Sequence, residues 1–220
     1  MPEFVPEIIR SRRASISIHI TSQGKVVVKA PHLIPNFVIN NFINEKSSWI
    51  ENALKKINAR KPLKRSYEEG DIFYYLGEKF ALEFYAGIEI VPKSGKLLFP
   101  KAITFRIKKE LNDWFLSQAK KKIMDRLTLK AKEMDAEFRE VRFSDTSSKW
   151  GTCFPDNSLQ FNWRLIMAPL MVLDYVVIHE LAHTTEKNHG DSFWRKVRQF
   201  TPAYRQHRKW LNDNAHLLTI

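Results

Sequence analysis

The chain has 220 residues, with 36 basic and 24 acidic side chains and a formal net charge of +12. A single cysteine, Cys153, excludes an internal disulfide and argues against the disulfide-framed class of secreted proteins. No apolar run approaches the roughly 18 residues that a membrane span needs, so we expect a soluble, cytoplasmic protein without membrane contact. The positive charge is compatible with nucleic acid, with an acidic substrate, or with no charged partner at all.

The first hundred residues predict a β-rich region that contains one amphipathic helix. Residues 16–20 alternate between isoleucine and polar side chains, and Gly24 separates them from a second candidate strand at 25–29, which indicates a β-hairpin. Apolar side chains at helical spacing predict a helix over 35–61. Short alternating segments with glycine-containing turns at 72–99 indicate further hairpins.

The remaining residues predict a mostly helical region. Apolar side chains recur every four residues between 107 and 131, which indicates one long helix over about 102–134. Two short strands are predicted at 141–143 and 159–163, with a turn between them. The apolar run 170–178 follows a proline, which is typical of the first turn of a buried helix.

Residues 179–183 read HELAH, directly after that apolar run. His179 and His183 lie one helical turn apart on the same face, so both imidazoles can reach one ion. Glu180 is displaced by about 100° around the helix, from where it can hold a water on the ion without being a ligand. This is the spacing of the zinc hydrolase motif, in which the glutamate is the general base.

His189 is the candidate for the third ligand, because a catalytic zinc usually takes three protein ligands and keeps a fourth position for water. A continuous helix would carry His189 about 240° around the axis from His183, away from the ion. We therefore expect the helix to stop first, with Asn188 in the left-handed conformation of a helix end. The next helix would then begin near Asp191.

Three alternatives stay open for neighbouring residues. Glu186 shares a helix face with His183 and is a rival third ligand. Cys153 is a conceivable fourth, inhibitory ligand, although closed structural zinc sites generally use several cysteines and this chain has one. Residues 150–153 predict a strand beside the helix, whose edge either binds an extended substrate by backbone pairing or only packs under the helix.

Residues 179–194, HELAHTTEKNHGDSFW, resemble the YgjP-like metallopeptidase family, which is related to the SprT-like and WLM proteases. Residues 144–153, SDTSSKWGTC, resemble that family's segment ending in Trp-Gly-Ser-Cys, with Thr152 in place of serine. The likeness is looser in the N-terminal β region. The resemblance implies a zinc cofactor, with the metal ligands and the catalytic acid/base at His179, His183, His189 and Glu180.

We therefore predict an α+β fold. A zincin-like catalytic domain at 101–220, with its HExxH helix packed on a small β-sheet, follows a β-rich N-terminal region at 1–100. The predicted function is that of a zinc-dependent metallopeptidase acting on a peptide or protein substrate, with Glu180 as general base. The alternatives are a metal-dependent hydrolase of a small anionic substrate such as a nucleoside triphosphate, or a DNA-associated protease that acts on DNA-bound proteins.

The charge excess lies mostly outside the motif. Residues 1–70 carry 12 basic and 6 acidic side chains, whereas residues 143–220 carry 9 and 7. We therefore expect the basic surface, through contact with nucleic acid or a nucleotide, to steer what reaches the metal rather than to define the reaction. The oligomeric state is not predicted.

Overall fold

The structure is a computed structural model that describes residues 4–21, 23–59, 65–146 and 149–220. Within these ranges the chain forms six α-helices and three small sheets, which confirms the predicted α+β class. It divides into two compact units, Met1–Lys61 and Pro62–Ile220. None of the described helices is both long and apolar enough to cross a membrane.

The first unit contains a three-stranded sheet and two helices. Its elements are β1 (Glu7–Ser11), β2 (Ser17–Ile20), β3 (Val26–Pro31), α1 (Asn36–Glu45) and α2 (Ser47–Ala59). The predicted hairpin is present as antiparallel β2 and β3, whereas β1, which pairs parallel to the other side of β3, was not predicted. The single predicted helix is two helices that meet at Lys46, where the Ser47 hydroxyl donates to the Asn44 carbonyl. The predicted helix end at Lys61 lies outside the described residues.

The second unit begins with a four-stranded sheet. Its strands are β4 (Ile72–Tyr75), β5 (Glu78–Tyr85), β6 (Val91–Lys93) and β7 (Lys96–Pro100), in the order β4-β5-β7-β6. The hairpins predicted for this segment are present as β4–β5 and β6–β7, whereas the turn at Gly87 joins no antiparallel pair, because β5 pairs parallel with β7. Phe73, Leu82 and Phe99 pack in the same core as the long helix that follows. These strands therefore belong to the second compact unit, whereas the sequence grouped them with the N-terminal region.

A turn of this sheet contacts the segment before the candidate site helix. The backbone N–H groups of Leu76 and Gly77 donate to the carbonyls of Ile166 and Met167 at 2.7 and 3.1 Å. Gly77 has a φ of +85°, and a Cβ there would lie 2.8 Å from Pro169. Only glycine combines the positive φ with so close an approach to Pro169. Together with the two hydrogen bonds, this contact fixes where the helix after Pro169 begins.

Two long helices form the centre of the second unit. They are α3 (Ile107–Met134), preceded by a 3₁₀ turn (Lys101–Arg106), and α4 (Leu170–Ala182). The predicted long helix is therefore present but begins five residues later than expected. Arg126 of α3 donates from two nitrogens to the two carboxylate oxygens of the buried Asp174 on α4, each at 2.6 Å. This bidentate pair holds α4 against α3.

The remaining elements surround α4. They are β8 (Val141–Ser144), β9 (Gly151–Cys153), β10 (Leu159–Asn162), α5 (Asp191–Phe200) and α6 (Tyr204–Asn214). The strands predicted at 141–143, 150–153 and 159–163 are present as β8, β9 and β10. Strand β10 pairs parallel with β8 and antiparallel with β9, which lies at the edge of this sheet. Because α4 packs against α3, β9, α5 and α6, almost all of its side chains are buried. Ser147 and Ser148 of the segment 144–153 lie outside the described residues.

Candidate metal centre

Helix α4 ends sooner than the sequence indicated. Its last residue is Ala182, and His183 caps it in a right-handed conformation. The chain then turns, with the Glu186 N–H donating to the Ala182 carbonyl at 2.9 Å. Asn188, which we expected in the left-handed conformation, has no positive φ, because the turn is complete before the chain reaches it. The predicted helix stop is therefore present, but the turn at Glu186 forms it and not Asn188. The stop allows His189 to return toward α4.

The structure brings the three predicted ligands together. The Nε2 atom of His189 lies 3.1 Å from Nε2 of His183 and 3.1 Å from Nε2 of His179. The three ligand atoms lie within 4.8 Å of one another, and the described residues contain no other such group of three His, Cys, Asp or Glu side chains. Ligands about 2.0–2.1 Å from one tetrahedral ion are about 3.3 Å apart. The spacing of the imidazoles is therefore suited to a single small cation.

The protonation of the imidazoles also favours metal binding. The Nδ1–H of His183 donates to the Glu186 carbonyl at 2.9 Å, which leaves the Nε2 lone pair free to ligate. The pKa of His179 is lowered to about 3, chiefly by burial and in smaller part by electrostatic repulsion from His183, His189 and Arg208. Burial also lowers the pKa of His183. Both rings are therefore held neutral, which is the form that binds a metal.

Neither Glu186 nor Cys153 belongs to the histidine cluster. The Glu186 carboxylate accepts a hydrogen bond from the Ser192 hydroxyl at 2.6 Å. The Cys153 thiol donates to the Phe154 carbonyl at 3.6 Å and lies 4.0 Å from the Lys187 ammonium. Burial raises the pKa of this thiol, which disfavours the thiolate form that ligates metals. The geometry therefore supports His189 as the third candidate ligand.

Phe193 of α5 contacts all three histidines and was not singled out from the sequence. Its ring is fully buried, and its centroid lies 4.4 Å from that of His183 in a stacked arrangement. The His179 and His189 rings meet it edge-on at 4.9 and 4.8 Å. Trp194 stacks on His189 at 5.6 Å. These two aromatic rings fix the orientation of the imidazoles, and the only signal in the sequence was their position four and five residues after His189.

Truncation of Phe193 to alanine should destabilise the protein by about 3–5 kcal/mol and weaken metal affinity by about 10–100-fold. The change removes a buried ring and frees the histidines to adopt other rotamers. Denaturant unfolding and metal titration measure the two effects. Phe200→Ala, on the same helix but without a ring contact to the histidines, is the control and should lower stability alone. Equal metal affinity in the two variants would contradict the role given to Phe193.

Glu180 lies in the last turn of α4 and is only 5% exposed. Burial raises the pKa of its carboxyl group and outweighs the opposing effects of a hydrogen bond from the Cys153 backbone N–H and the positive charge of Lys149, so that the pKa is about 8. A divalent cation beside the carboxyl group would lower this pKa again, since positive charge favours the carboxylate. The side chain is thus held in place and out of bulk water, as a general base requires.

Gly151 provides the space that Glu180 occupies. A Cβ at this position would lie 2.5 Å from the Glu180 Oε1 atom and 2.6 Å from its Cγ. The φ of Gly151 is not in the left-handed region, so the glycine is required by close approach and not by backbone conformation. From the sequence, Gly151 is identifiable only as part of a predicted strand, because its contact with Glu180 joins segments that are distant in the chain.

Introducing alanine at Gly151 should reduce hydrolysis by about 100-fold, since a displacement of a catalytic group by about 1 Å has effects of that size. The atoms nearest to a Cβ at Gly151 all belong to Glu180 and not to a histidine, so metal content should be unchanged. Steady-state kinetics and elemental analysis give the two readouts. Gly190→Ala is the matched control, because a Cβ there meets no atom within 4 Å and the φ of −76° suits alanine. If both variants retain full activity, Gly151 does not position Glu180.

The histidine cluster and the buried Glu180 lie within a region that matches a known protein family. The model of the YgjP-like family, described as a metallopeptidase domain, matches residues 14–214. The chain belongs to the YgjP-like metallopeptidase family. Membership confirms the resemblance seen in the sequence, and assigns the chain to metallopeptidase-type hydrolases, which use a metal cofactor. Among curated proteins and solved structures, no significant match was found.

Proposed function

We propose that this YgjP-like protein is a zinc-dependent metallopeptidase with a zincin-like site, in which His179, His183 and His189 hold the metal and Glu180 is the general base. The observation that carries the proposal is the convergence of three imidazole Nε2 atoms beside a buried carboxyl group. Imidazole ligands in a tetrahedral arrangement with a position left for water are typical of catalytic zinc.

The residues of this chain supply the proton transfers. Zinc, when bound, acts as a Lewis acid that makes a water molecule acidic near neutral pH and polarises the substrate carbonyl. A carboxylate oxygen of Glu180 takes the proton from the attacking water and then delivers it to the leaving amide nitrogen. The Cys153 N–H and the absence of a side chain at Gly151 hold that carboxylate in one orientation.

The free edge of β9 is suited to an extended peptide. Backbone groups of Trp150 and Phe154 hydrogen-bond toward β10, so the groups of the alternate residues Gly151 and Cys153 point to the opposite edge. No described strand pairs with that edge. The Cys153 N–H on this edge already donates to Glu180, so a substrate strand would pair with the remaining outward backbone groups and pass directly beside Glu180. This favours the substrate-binding alternative for residues 150–153.

Metal removal tests the proposed function. Chelation should abolish cleavage of a peptide library, and one equivalent of zinc per chain should restore it, because the described residues offer one histidine cluster. Product formation is followed by mass spectrometry, with zinc content measured in parallel. Cleavage that persists in the metal-free protein, or a zinc-loaded protein that cleaves no library member, would contradict the proposal.

A second candidate is hydrolysis of a small anionic substrate such as a nucleoside triphosphate. It is favoured by the positive side chains Lys149 and Arg208, which line a cavity together with Glu180. The same general base can direct a water at a phosphoanhydride. A panel of nucleoside triphosphates assayed for released phosphate or pyrophosphate tests this candidate, and absence of turnover by the zinc-loaded protein would remove it.

A further inference from the structure

A cavity of about 250 Å³ lies beside the candidate metal centre. Its wall comes from three parts of the second unit: the segment around β9, helix α4 and helix α6. His179 and Glu180 both contribute to this wall, so any group in the cavity lies against the general base. Pockets that hold a whole ligand of drug size measure about 300–1,000 Å³. The cavity is therefore large enough for one substrate group and too small for an entire substrate.

Two positive side chains line this cavity without a hydrogen-bonded or ion-paired partner among the described residues. Neither Lys149 nor Arg208 forms a hydrogen bond or an ion pair with a described residue, and Glu180 is the one acidic residue in the described wall. Lys209, the neighbour of Arg208 on α6, is instead paired with Asp213 at 2.5 Å. A basic residue of α6 outside the cavity thus has an acidic partner, whereas Arg208 inside the cavity has none in the part of the chain that the structure describes.

The rest of the wall orients these charges. The Arg208 guanidinium lies over the Trp194 ring at 5.8 Å, which restricts where its donors point. Trp150, Tyr175 and Leu211 supply apolar surface between the charged groups. A guanidinium presents a fork of donors that matches the oxygens of a carboxylate or phosphate, and a lysine adds a compact point charge.

We infer that Lys149 and Arg208 bind an anionic oxygen group of the substrate, a carboxylate or a phosphate, next to the bond hydrolysed at Glu180. The inference rests on the proposed function, because it names the substrate class of the same site. The protein then selects substrates by a negative charge beside the reacting bond, and the apolar wall holds the carbon chain or ring that bears the charge.

Binding to a protein that cannot turn over its ligand tests this inference separately from catalysis. The zinc-loaded Glu180→Gln protein is titrated calorimetrically with two probe pairs. One pair is acetyl-Ala-Ala-Glu-Ala-amide and its glutamine counterpart, and the other is ATP and adenosine. The measurements are repeated after adding Lys149→Gln, Arg208→Gln or Arg208→Lys. Lys209→Gln is the matched control, since it removes a charge from the same helix outside the cavity.

The anionic member of one pair should bind at least about tenfold more tightly than its neutral counterpart, as expected for a charge-assisted hydrogen bond. Lys149→Gln and Arg208→Gln should each remove about tenfold of that affinity, Arg208→Lys should retain part of it, and Lys209→Gln should retain all of it. Preference for the glutamate peptide assigns a carboxylate as the bound group, and preference for ATP assigns a phosphate.

Equal binding of charged and neutral probes would overturn the inference, as would a loss in Lys209→Gln equal to that in Arg208→Gln. Turnover of the same probes by the wild-type zinc protein separates this result from the proposed function. Selective binding without hydrolysis of any peptide would refute the proposed peptidase and leave the anion site in place. Hydrolysis of both peptides at equal kcat/KM, together with equal binding of ATP and adenosine, would support the peptidase and refute the anion site.

Discussion

Replacing Glu180 with glutamine should lower the rate of hydrolysis by about 10²–10⁴-fold, the usual contribution of a general base, and leave the metal bound. The amide has nearly the same shape and can still accept the Cys153 N–H, but it cannot take a proton. The three histidines that form the candidate ligand set are unchanged. Both kcat and zinc content are measured on the same preparation.

Glu140→Gln is the control for this change. Glu140 is exposed and pairs with Arg142 on the surface. The variant therefore loses the same carboxylate charge at a residue that is not part of the histidine cluster. It should keep full activity. A Glu180→Gln protein with unchanged kcat would refute the general base, and one that loses its zinc would show that Glu180 serves the metal instead.

Removal of the His189 imidazole should lower zinc affinity by more than about 100-fold, because the loss of a ligand exceeds the 10–100-fold effect of losing an outer contact. The His189→Ala protein keeps the imidazole nitrogens of His179 and His183 as ligands. The substitution leaves no buried cavity, because His189 lies at the surface. Its folding should therefore be preserved. Competition with a chromophoric chelator measures the affinity, and circular dichroism checks the fold.

Glu186→Gln decides between the two ligand sets considered for this chain. The glutamine can still accept from Ser192, and the backbone carbonyl that holds His183 is unaffected. Zinc affinity should therefore stay within about threefold of the wild type, the ordinary context dependence of an exposed polar contact. The opposite pattern, with zinc lost in Glu186→Gln and kept in His189→Ala, would make Glu186 the third ligand.

The histidine cluster was accessible from the sequence because its geometry is local. One helical turn separates His179 from His183, and an expected helix stop before His189 allows its ring to return, so spacing and the stop together predict that the three rings can meet. The family resemblance rests on the same residues and is confirmed by the family match over 14–214. The details of the turn were not predictable, since Glu186 and not Asn188 provides the contact that ends the helix.

Features that depend on distant segments were not predicted. Gly151 and Phe193 act through contacts made only when β9 and α5 pack on α4, and neither periodicity nor spacing reports such contacts. The parallel pairing of β8 with β10 has the same origin, because alternation identifies a strand but not its neighbour. For the same reason the sequence grouped the strands at 72–100 with the N-terminal region, whereas their apolar side chains pack with those of α3 in the second unit.

The turn after Ala182 has a consequence for how the protein loses function. Loop-closure entropy rises with the logarithm of loop length, so the segment 179–189 gathers its three imidazoles at small entropic cost. Glu180, by contrast, depends on Gly151 from a separate strand and faces Arg208 from a later helix. On the proposed assignment, partial unfolding of β9 or α6 on heating abolishes hydrolysis before the zinc ion is released. Metal stoichiometry would then overstate the fraction of competent molecules in an aged sample.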